Sequence, residues 1–187
     1  MTVYPVHTIE SAPEKSRPAL RGLKQNLGFV PNLAATMAES STLVNGFVNA
    51  FGNFHGGTFT GAQRQALLLT NAVANRCEWA VAFHSTMALK EGLPASDVQA
   101  IRDGQAPREN RLAALVAFDR ALIEKRGQVS ESEIEAVREA GVGADQVLEI
   151  IAGLAVSVMA NYAGNLTRPP VEEPFKGQTW RDSQRPI

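Results

Sequence analysis

Apolar residues recur along most of this chain with the spacing of one face of a helix. Ala- and Leu-rich stretches alternate with Gly, Pro and Ser, and alternating apolar and polar runs of β-branched or aromatic residues are nearly absent. The pattern predicts an all-α, multi-helix array. The predicted helices run approximately over 16–27, 31–39, 41–54, 60–75, 77–91, 96–103, 108–126, 130–141 and 144–166.

The residues between these stretches predict where the helices begin and end. Thr60 and Gln63, and likewise Ser130 and Glu133, have the spacing of a capping box, in which two side chains bind backbone amides reciprocally. Gly28 is placed to end the first helix. We therefore expect one helical domain over 15–166, an extended lead-in over 1–14 and a Pro-rich tail over 167–187.

The last predicted helix is unusually apolar. It contains the run 150–156 (IIAGLAV), and no charged residue stands between Glu149 and Arg168. Such a helix must be covered on all sides, so we expect a homo-oligomer in which part of this surface meets another subunit. The Pro-rich tail is not expected to enter the core. It is expected to lie across a neighbouring subunit, anchored by Phe175 and Trp180.

Composition narrows the class of protein. The 187 residues are 44% hydrophobic and 20% charged, which suits one packed domain and excludes a disordered chain. The net charge is −1 and the two signs alternate along the chain, so we expect no nucleic-acid partner. We identify neither a leader sequence nor a stretch that approaches bilayer length, and we predict a cytoplasmic protein without membrane contact.

Cysteine and histidine usage limits the chemistry. A single cysteine, Cys77, excludes an intrachain disulfide and a Cys-rich metal site. The histidines His7, His55 and His84 lack the spacing that places two metal ligands on one helix face. We therefore predict neither a metal nor another cofactor.

Cys77 and His84 are the main candidates for catalysis. A separation of seven residues places both on one helix face, about 10 Å apart, so a water molecule or another side chain would have to bridge them. In the first turn of a helix, exposed amides would favour the thiolate of Cys77. The alternative is structural, with Cys77 a small buried apolar residue and His84 a hydrogen-bonded core residue.

The sequence around these residues resembles a known family. The segments 75–84 (NRCEWAVAFH) and 88–93 (ALKEGL) are similar to the signature of the alkylhydroperoxidase D-like and carboxymuconolactone decarboxylase family, in which a C-x-x-C-x-x-x-H motif opens a helix that closes at Gly-Leu. The similarity extends over most of the chain from about residue 15. The segments 160–162 (ANY) and 169–175 resemble the terminal helix and tail of the peroxidase-related branch.

The resemblance implies catalytic roles for Cys77 and His84, but two positions depart from the family pattern. The second cysteine of the motif falls at Ala80, and the family's glutamate falls at Gln65, which cannot relay a proton as a carboxylate does. Gln65 is therefore an auxiliary candidate only.

Two further auxiliary candidates lie outside the motif. His55 is expected in a Gly-rich loop, where it could reach a pocket mouth or simply be solvated. Asn161 stands on an apolar helix, where it could line a site or pair with backbone across an oligomer interface.

Three functions remain open at this stage. The resemblance favours a peroxidase-type, peroxiredoxin-like antioxidant oxidoreductase, in which Cys77 is oxidised to a sulfenic acid and reduced by an external thiol. The second is a cofactor-free decarboxylase or related lyase that acts on a small cyclic carboxylate through His84. The third is a non-catalytic, oligomeric binding protein. By resemblance, the expected partners are a small-molecule substrate and further copies of the chain in a trimer or hexamer.

Overall fold

A computed structural model describes residues 4–181, and this part of the chain is helical without strands. Short 3-10 turns occupy Glu14–Ser16 and Glu173–Gln178. The α-helices are α1 (Arg17–Leu27), α2 (Asn32–Met37), α3 (Ser41–His55), α4 (Gly61–Ala74), α5 (Glu78–Lys90), α6 (Ala95–Arg102), α7 (Asn110–Glu124), α8 (Glu131–Glu139) and α9 (Ala144–Thr167). The predicted all-helical fold is confirmed.

The predicted capping residues determine several helix ends. The Thr60 hydroxyl accepts from the Gln63 amide at 3.3 Å, and the Gln63 side chain accepts from the Thr60 amide at 3.0 Å. Ser130 and Glu133 form the same reciprocal pair before α8. Gly28 ends α1 with a φ of 83°, a left-handed conformation that glycine adopts without strain. Local side-chain chemistry therefore places these boundaries.

The most apolar helices lie at the centre of the fold. α4 contacts α5, α6, α7 and α9, and its residues 65–72 are all buried. α5 packs against α4 and α9, and α9 also crosses α2 and α3. Because α4, α5 and α9 meet in the core, the side chains of one can reach those of the others.

α9 corrects one expectation from the sequence. Its 24 residues include a window of mean hydropathy 1.6, so by length and composition this helix could cross a membrane. The expectation that no stretch approaches bilayer length was therefore wrong. The contacts of α9 with α2 to α5 account for the apolar residues on its buried side, and 44% of that window is buried. The cytoplasmic location stays a prediction.

The tail corrects another expectation. Phe175 was expected outside the core but is 2% exposed, with its ring centroid 5.0 Å from that of Phe83 and 5.8 Å from that of Phe29. The Trp79 indole also donates to Glu172 Oε2 at 2.8 Å. A cluster of aromatic rings thus attaches the tail to its own chain. Residues 1–3 of the predicted lead-in and 182–187 of the predicted tail lie outside the described residues.

Candidate active site

His84 and Gln65 form a buried polar pair between α5 and α4. His84 Nδ1 lies 2.9 Å from Gln65 Oε1, and the two residues are 8% and 6% exposed. Since an amide oxygen only accepts hydrogen bonds, Nδ1 carries the proton, and the neutral ring keeps a lone pair on Nε2. Within residues 4–181, no hydrogen bond occupies that second nitrogen. The pair therefore fixes one tautomer and leaves an acceptor available.

The surroundings of His84 keep its ring neutral. Burial, together with a smaller effect of the nearby His55, lowers the pKa of His84 to about 3. Gln65 adds no negative charge that could offset this effect, whereas a carboxylate at that position would raise the pKa. At neutral pH, Nε2 of the neutral ring is therefore a hydrogen-bond acceptor.

His84 lines a cavity between helices α1 to α5 and α9. The wall contains the aromatic side chains of Phe47, Phe51, Trp79 and Phe83, and the cavity measures about 30 Å³, enough for one or two water molecules. Apart from the Trp79 indole N–H, its polar groups come from His84 and Ser157. The remaining lining residues are Leu23, Leu27, Pro31, Leu33, Ala34, Leu68, Ala80, Val156 and Ala160.

Only one side of this cavity approaches the surface. Leu27 and Phe51 are half-buried, whereas the other lining residues are buried. A ligand would therefore enter between the end of α1 and the outer part of α3.

Cys77 does not share this cavity with His84. The cysteine is the N-cap of α5, just before the first turn in which it was predicted, and it is 1% exposed. Its sulfur packs against α9, since a Cβ added at Gly164 would lie 2.7 Å from Sγ. Ala80 does line the cavity, at the position of the family's second cysteine. Cys77 is absent from the wall that carries Ala80 and His84.

His55 is not the loop residue that the sequence suggested. It is the last residue of α3, because the helix continues one residue beyond the predicted end before Gly56 and Gly57. Its ring lies 3.9 Å from that of Phe51, and Nδ1 donates to the Phe51 carbonyl at 3.1 Å. Burial lowers the pKa of His55. His55 reaches the cavity only through Phe51.

Two polar residues of α9 lie near the centre of the fold. Asn161 is 1% exposed, and its Nδ2 has no hydrogen-bond partner among the described residues, but it does not line the cavity. Ser157, one turn earlier, does line it and is 3% exposed. Ser157 was not among the site residues predicted from the sequence. The available signal was a hydroxyl in the middle of an uncharged apolar helix.

The sequence from the first half of α3 to near the end of α7 resembles a known family. Residues 45–122 match the model of the carboxymuconolactone decarboxylase family. This part of the chain is similar to that family. The match includes Gln65, Cys77, Ala80 and His84, so the resemblance inferred from residues 75–93 is confirmed. No curated protein matches the chain.

Several solved structures share the fold of this chain. One is the alkylhydroperoxidase AhpD core of an uncharacterized peroxidase-related protein from Ralstonia eutropha JMP134, with a TM-score of 0.80 and 21% identity over 92% of this chain and 93% of that one. An uncharacterized peroxidase-related protein from Silicibacter sp. TM1040 has a TM-score of 0.77 and 16% identity over 94% of this chain and 93% of that one. A cysteine-to-alanine variant of the debrominase Bmp8, in complex with 2,3,4-tribromopyrrole, has a TM-score of 0.77 and 19% identity over 95% of both chains. At these identities the likeness shows a common fold.

Proposed function

We propose that this chain is an enzyme of the carboxymuconolactone decarboxylase family that uses His84 as its acid–base group on a small cyclic carboxylate. The observation that carries the proposal is the fixed orientation of His84. Gln65 occupies Nδ1 at 2.9 Å, and the ring lines an apolar cavity with Nε2 available. A positioned imidazole of this kind is the commonest group for proton transfer in enzymes.

The low pKa of His84 suits a substrate that brings its own negative charge. A carboxylate beside Nε2 raises the pKa of the ring, so His84 takes up one proton from solvent as the substrate binds. When the bond to the carboxyl carbon breaks, CO₂ leaves and the ring carbon keeps the electron pair. That carbon then receives the proton from Nε2, and His84 returns to its neutral form. The net reaction consumes one carboxylate and one proton and yields R–H and CO₂.

The walls of the cavity favour a planar ring as the substrate. Phe47, Phe51, Trp79 and Phe83 present aromatic faces or edges, and Trp79 and Phe83 stack at 5.1 Å. The debrominase of similar fold holds a one-ring heteroaromatic compound. Because about 30 Å³ is too small for a ring, binding requires movement of side chains at the half-buried side, where Phe51 lies.

The thiol-dependent peroxidase activity expected from the resemblance is the second candidate. In that reaction Cys77–SH and ROOH give Cys77–SOH and ROH, and two external thiols then restore Cys77–SH with release of a disulfide and water. The position of Cys77 at the N-cap of α5 favours this activity, because the helix dipole stabilises a thiolate there. Its 1% exposure opposes it, since peroxide would reach Sγ only after the start of α5 opens.

Parallel assays on three variants separate the two candidates. We would measure CO₂ release from carboxymuconolactone and related cyclic carboxylates, and peroxide consumption with dithiothreitol, for wild type, Cys77→Ser and His84→Gln. His7→Gln is the matched control, because it removes a histidine that bonds to Glu39 and does not line the cavity.

We expect His84→Gln to lower decarboxylation at least about 100-fold, and Cys77→Ser and His7→Gln to leave it within about twofold. Peroxide turnover that depends on Cys77 alone would overturn the proposal in favour of the second candidate. A wild type that turns over neither class of substrate would also overturn it, and would favour a non-catalytic binding protein.

A further inference from the structure

Ser157 carries a buried hydroxyl without a partner. Its Oγ makes no hydrogen bond to any residue in 4–181, although the residue is 3% exposed. The other buried serines and threonines of this part of the chain all have partners. They are Ser16, Thr36, Thr70, Ser85 and Thr167. An unsatisfied buried hydroxyl is costly, so its presence requires an explanation.

The position of Ser157 inside a helix makes it unusual that its hydroxyl has no partner. A serine or threonine within a helix commonly donates to the carbonyl four residues earlier. Thr70 does so to Ala66 at 2.8 Å, and Thr167 to Ala163 at 2.8 Å. Ser157 stands on α9 with the same option but does not use it. Its hydroxyl therefore remains able to donate to, or accept from, another molecule.

The position of Ser157 shows where that molecule would lie. Ser157 on α9 and His84 on α5 line the same cavity, and the rest of the wall is apolar except for the Trp79 indole. That indole N–H already donates to Glu172. His84 and Ser157 are thus the two polar side chains of the wall that remain for a ligand in the cavity.

We propose that Ser157 binds the substrate directly and selects rings that carry a second oxygen besides the carboxylate. The inference rests on the proposed function, because it takes the carboxylate to be the group beside His84. The substrate class is then a hydroxy- or oxo-substituted cyclic carboxylate, with the second oxygen hydrogen-bonded to Ser157 Oγ. A hydroxyl group both donates and accepts, so Ser157 can serve either substituent.

Simple aromatic acids test this selection without knowledge of the natural substrate. The probes are benzoate and the 2-, 3- and 4-hydroxybenzoates, and the proteins are wild type, Ser157→Ala, Ser85→Ala and His84→Gln. Ser85→Ala is the matched control, because it removes a buried hydroxyl that accepts from Arg102 and does not line the cavity. Dissociation constants come from titration calorimetry, and thermal midpoints come from circular dichroism.

We expect at least one hydroxybenzoate to bind wild type more tightly than benzoate does, and Ser157→Ala to remove about threefold to tenfold of that preference. Benzoate affinity stays within about twofold in Ser157→Ala. The thermal midpoint of Ser157→Ala stays the same or rises, because no hydrogen bond is lost. Ser85→Ala lowers its midpoint and keeps the preference.

Two results overturn the inference in different ways. In the first, benzoate binding depends on His84, but Ser157→Ala either keeps the full preference for hydroxybenzoates or loses stability as Ser85→Ala does. Ser157 is then a structural residue, and the proposed function stands. If benzoate shows no binding that depends on His84, the proposed function fails and the selection by Ser157 fails with it.

Discussion

Two buried ionisable residues of this protein have pKa values shifted in opposite directions. Burial lowers the pKa of His84 to about 3 and raises the pKa of Asp119 to about 8. Asp119 lies on α7 and accepts a hydrogen bond from Asn71 Nδ2 at 2.9 Å. At neutral pH the folded protein therefore holds a neutral imidazole and a largely neutral carboxylic acid, and each should contribute its own pH dependence to stability.

His84 should lower stability as the pH falls. The unfolded chain binds a proton at this histidine near pH 6.5, whereas the folded chain does so only near pH 3. Between these values the unfolded state binds more protons, so the free energy of unfolding decreases with decreasing pH. From pH 7 to pH 5, we expect the free energy of unfolding of wild type to fall by about 2 kcal/mol relative to that of His84→Gln. Urea unfolding at both pH values measures this, and equal pH dependence of the two proteins would contradict a buried neutral His84.

Asp119 should act with the opposite sign and in a higher range. The folded chain keeps its proton up to about pH 8, and the unfolded chain loses it near pH 3.8. The folded state binds more protons between these values, so stability decreases as the pH rises. As the pH rises from 6 to 8, we expect the free energy of unfolding of wild type to fall by about 2 kcal/mol relative to that of Asp119→Asn. Parallel unfolding curves with no difference between the two proteins would show that Asp119 is ionised in the fold.

At the level of elements, glycines bring α9 close to its neighbours. A Cβ at Gly153 would lie 2.8 Å from the ring of Phe54, which is 1% exposed and has no room to move. A Cβ at Gly46 on α3 would meet nothing within 4 Å. The same substitution should therefore have opposite effects at the two positions.

We expect Gly153→Ala to destabilise the protein by about 1–3 kcal/mol because the core is overpacked. Gly46→Ala is the matched control and should stabilise by about 0.5–1 kcal/mol, because alanine favours a helix more than glycine does. Chemical unfolding of both variants measures the difference. A Gly153→Ala protein as stable as wild type would contradict the close contact between α9 and α3.

The sequence predicted the elements well because their signals are local. Thr60 and Ser130 cap their helices through residues three positions away, and Gly28 ends α1 through its own backbone conformation. The tail at Phe175 was mispredicted, because proline-rich sequence says nothing about an aromatic cluster on a distant helix. Contacts between separate elements are what local patterns omit.

The same limit applies to the candidate site. The family motif identified His84 and Gln65 as candidates, and the structure places them in contact. Whether Cys77 shares the cavity depends on how α9 packs at Gly164, and the place of Ser157 depends on where α9 meets α5. Both follow from the arrangement of helices far apart in sequence.

For the whole molecule, one exposed face of α9 bears on assembly. The large apolar side chains with the greatest exposure on this helix share one face. They are Leu148, Ile151, Val158, Tyr162 and Leu166. Among the described residues outside α9, Val6 is the one other large apolar side chain that is exposed. Because this stripe carries no charge, a second copy of the same stripe could pack against it without repulsion. The homo-oligomer expected from the sequence would use this face.

We expect Ile151→Lys combined with Tyr162→Lys to lower the mass of the assembled protein, because two lysines would be buried in the interface. Light scattering after size-exclusion chromatography measures the mass. Glu135→Lys on α8 is the control, since it changes an exposed charge away from the stripe. A monomeric wild type, or a double variant of unchanged mass, would contradict this interface.

The central claim is that His84 presents an unprotonated Nε2 to the cavity. Nitrogen-15 NMR of the histidine rings reports the protonation and tautomer of each ring directly. We predict that His84 is neutral from pH 5 to pH 8 with its proton on Nδ1, and that Gln65→Leu disturbs this tautomer while His7→Gln does not. A ring that titrates near pH 6.5, or that carries its proton on Nε2, would contradict the account.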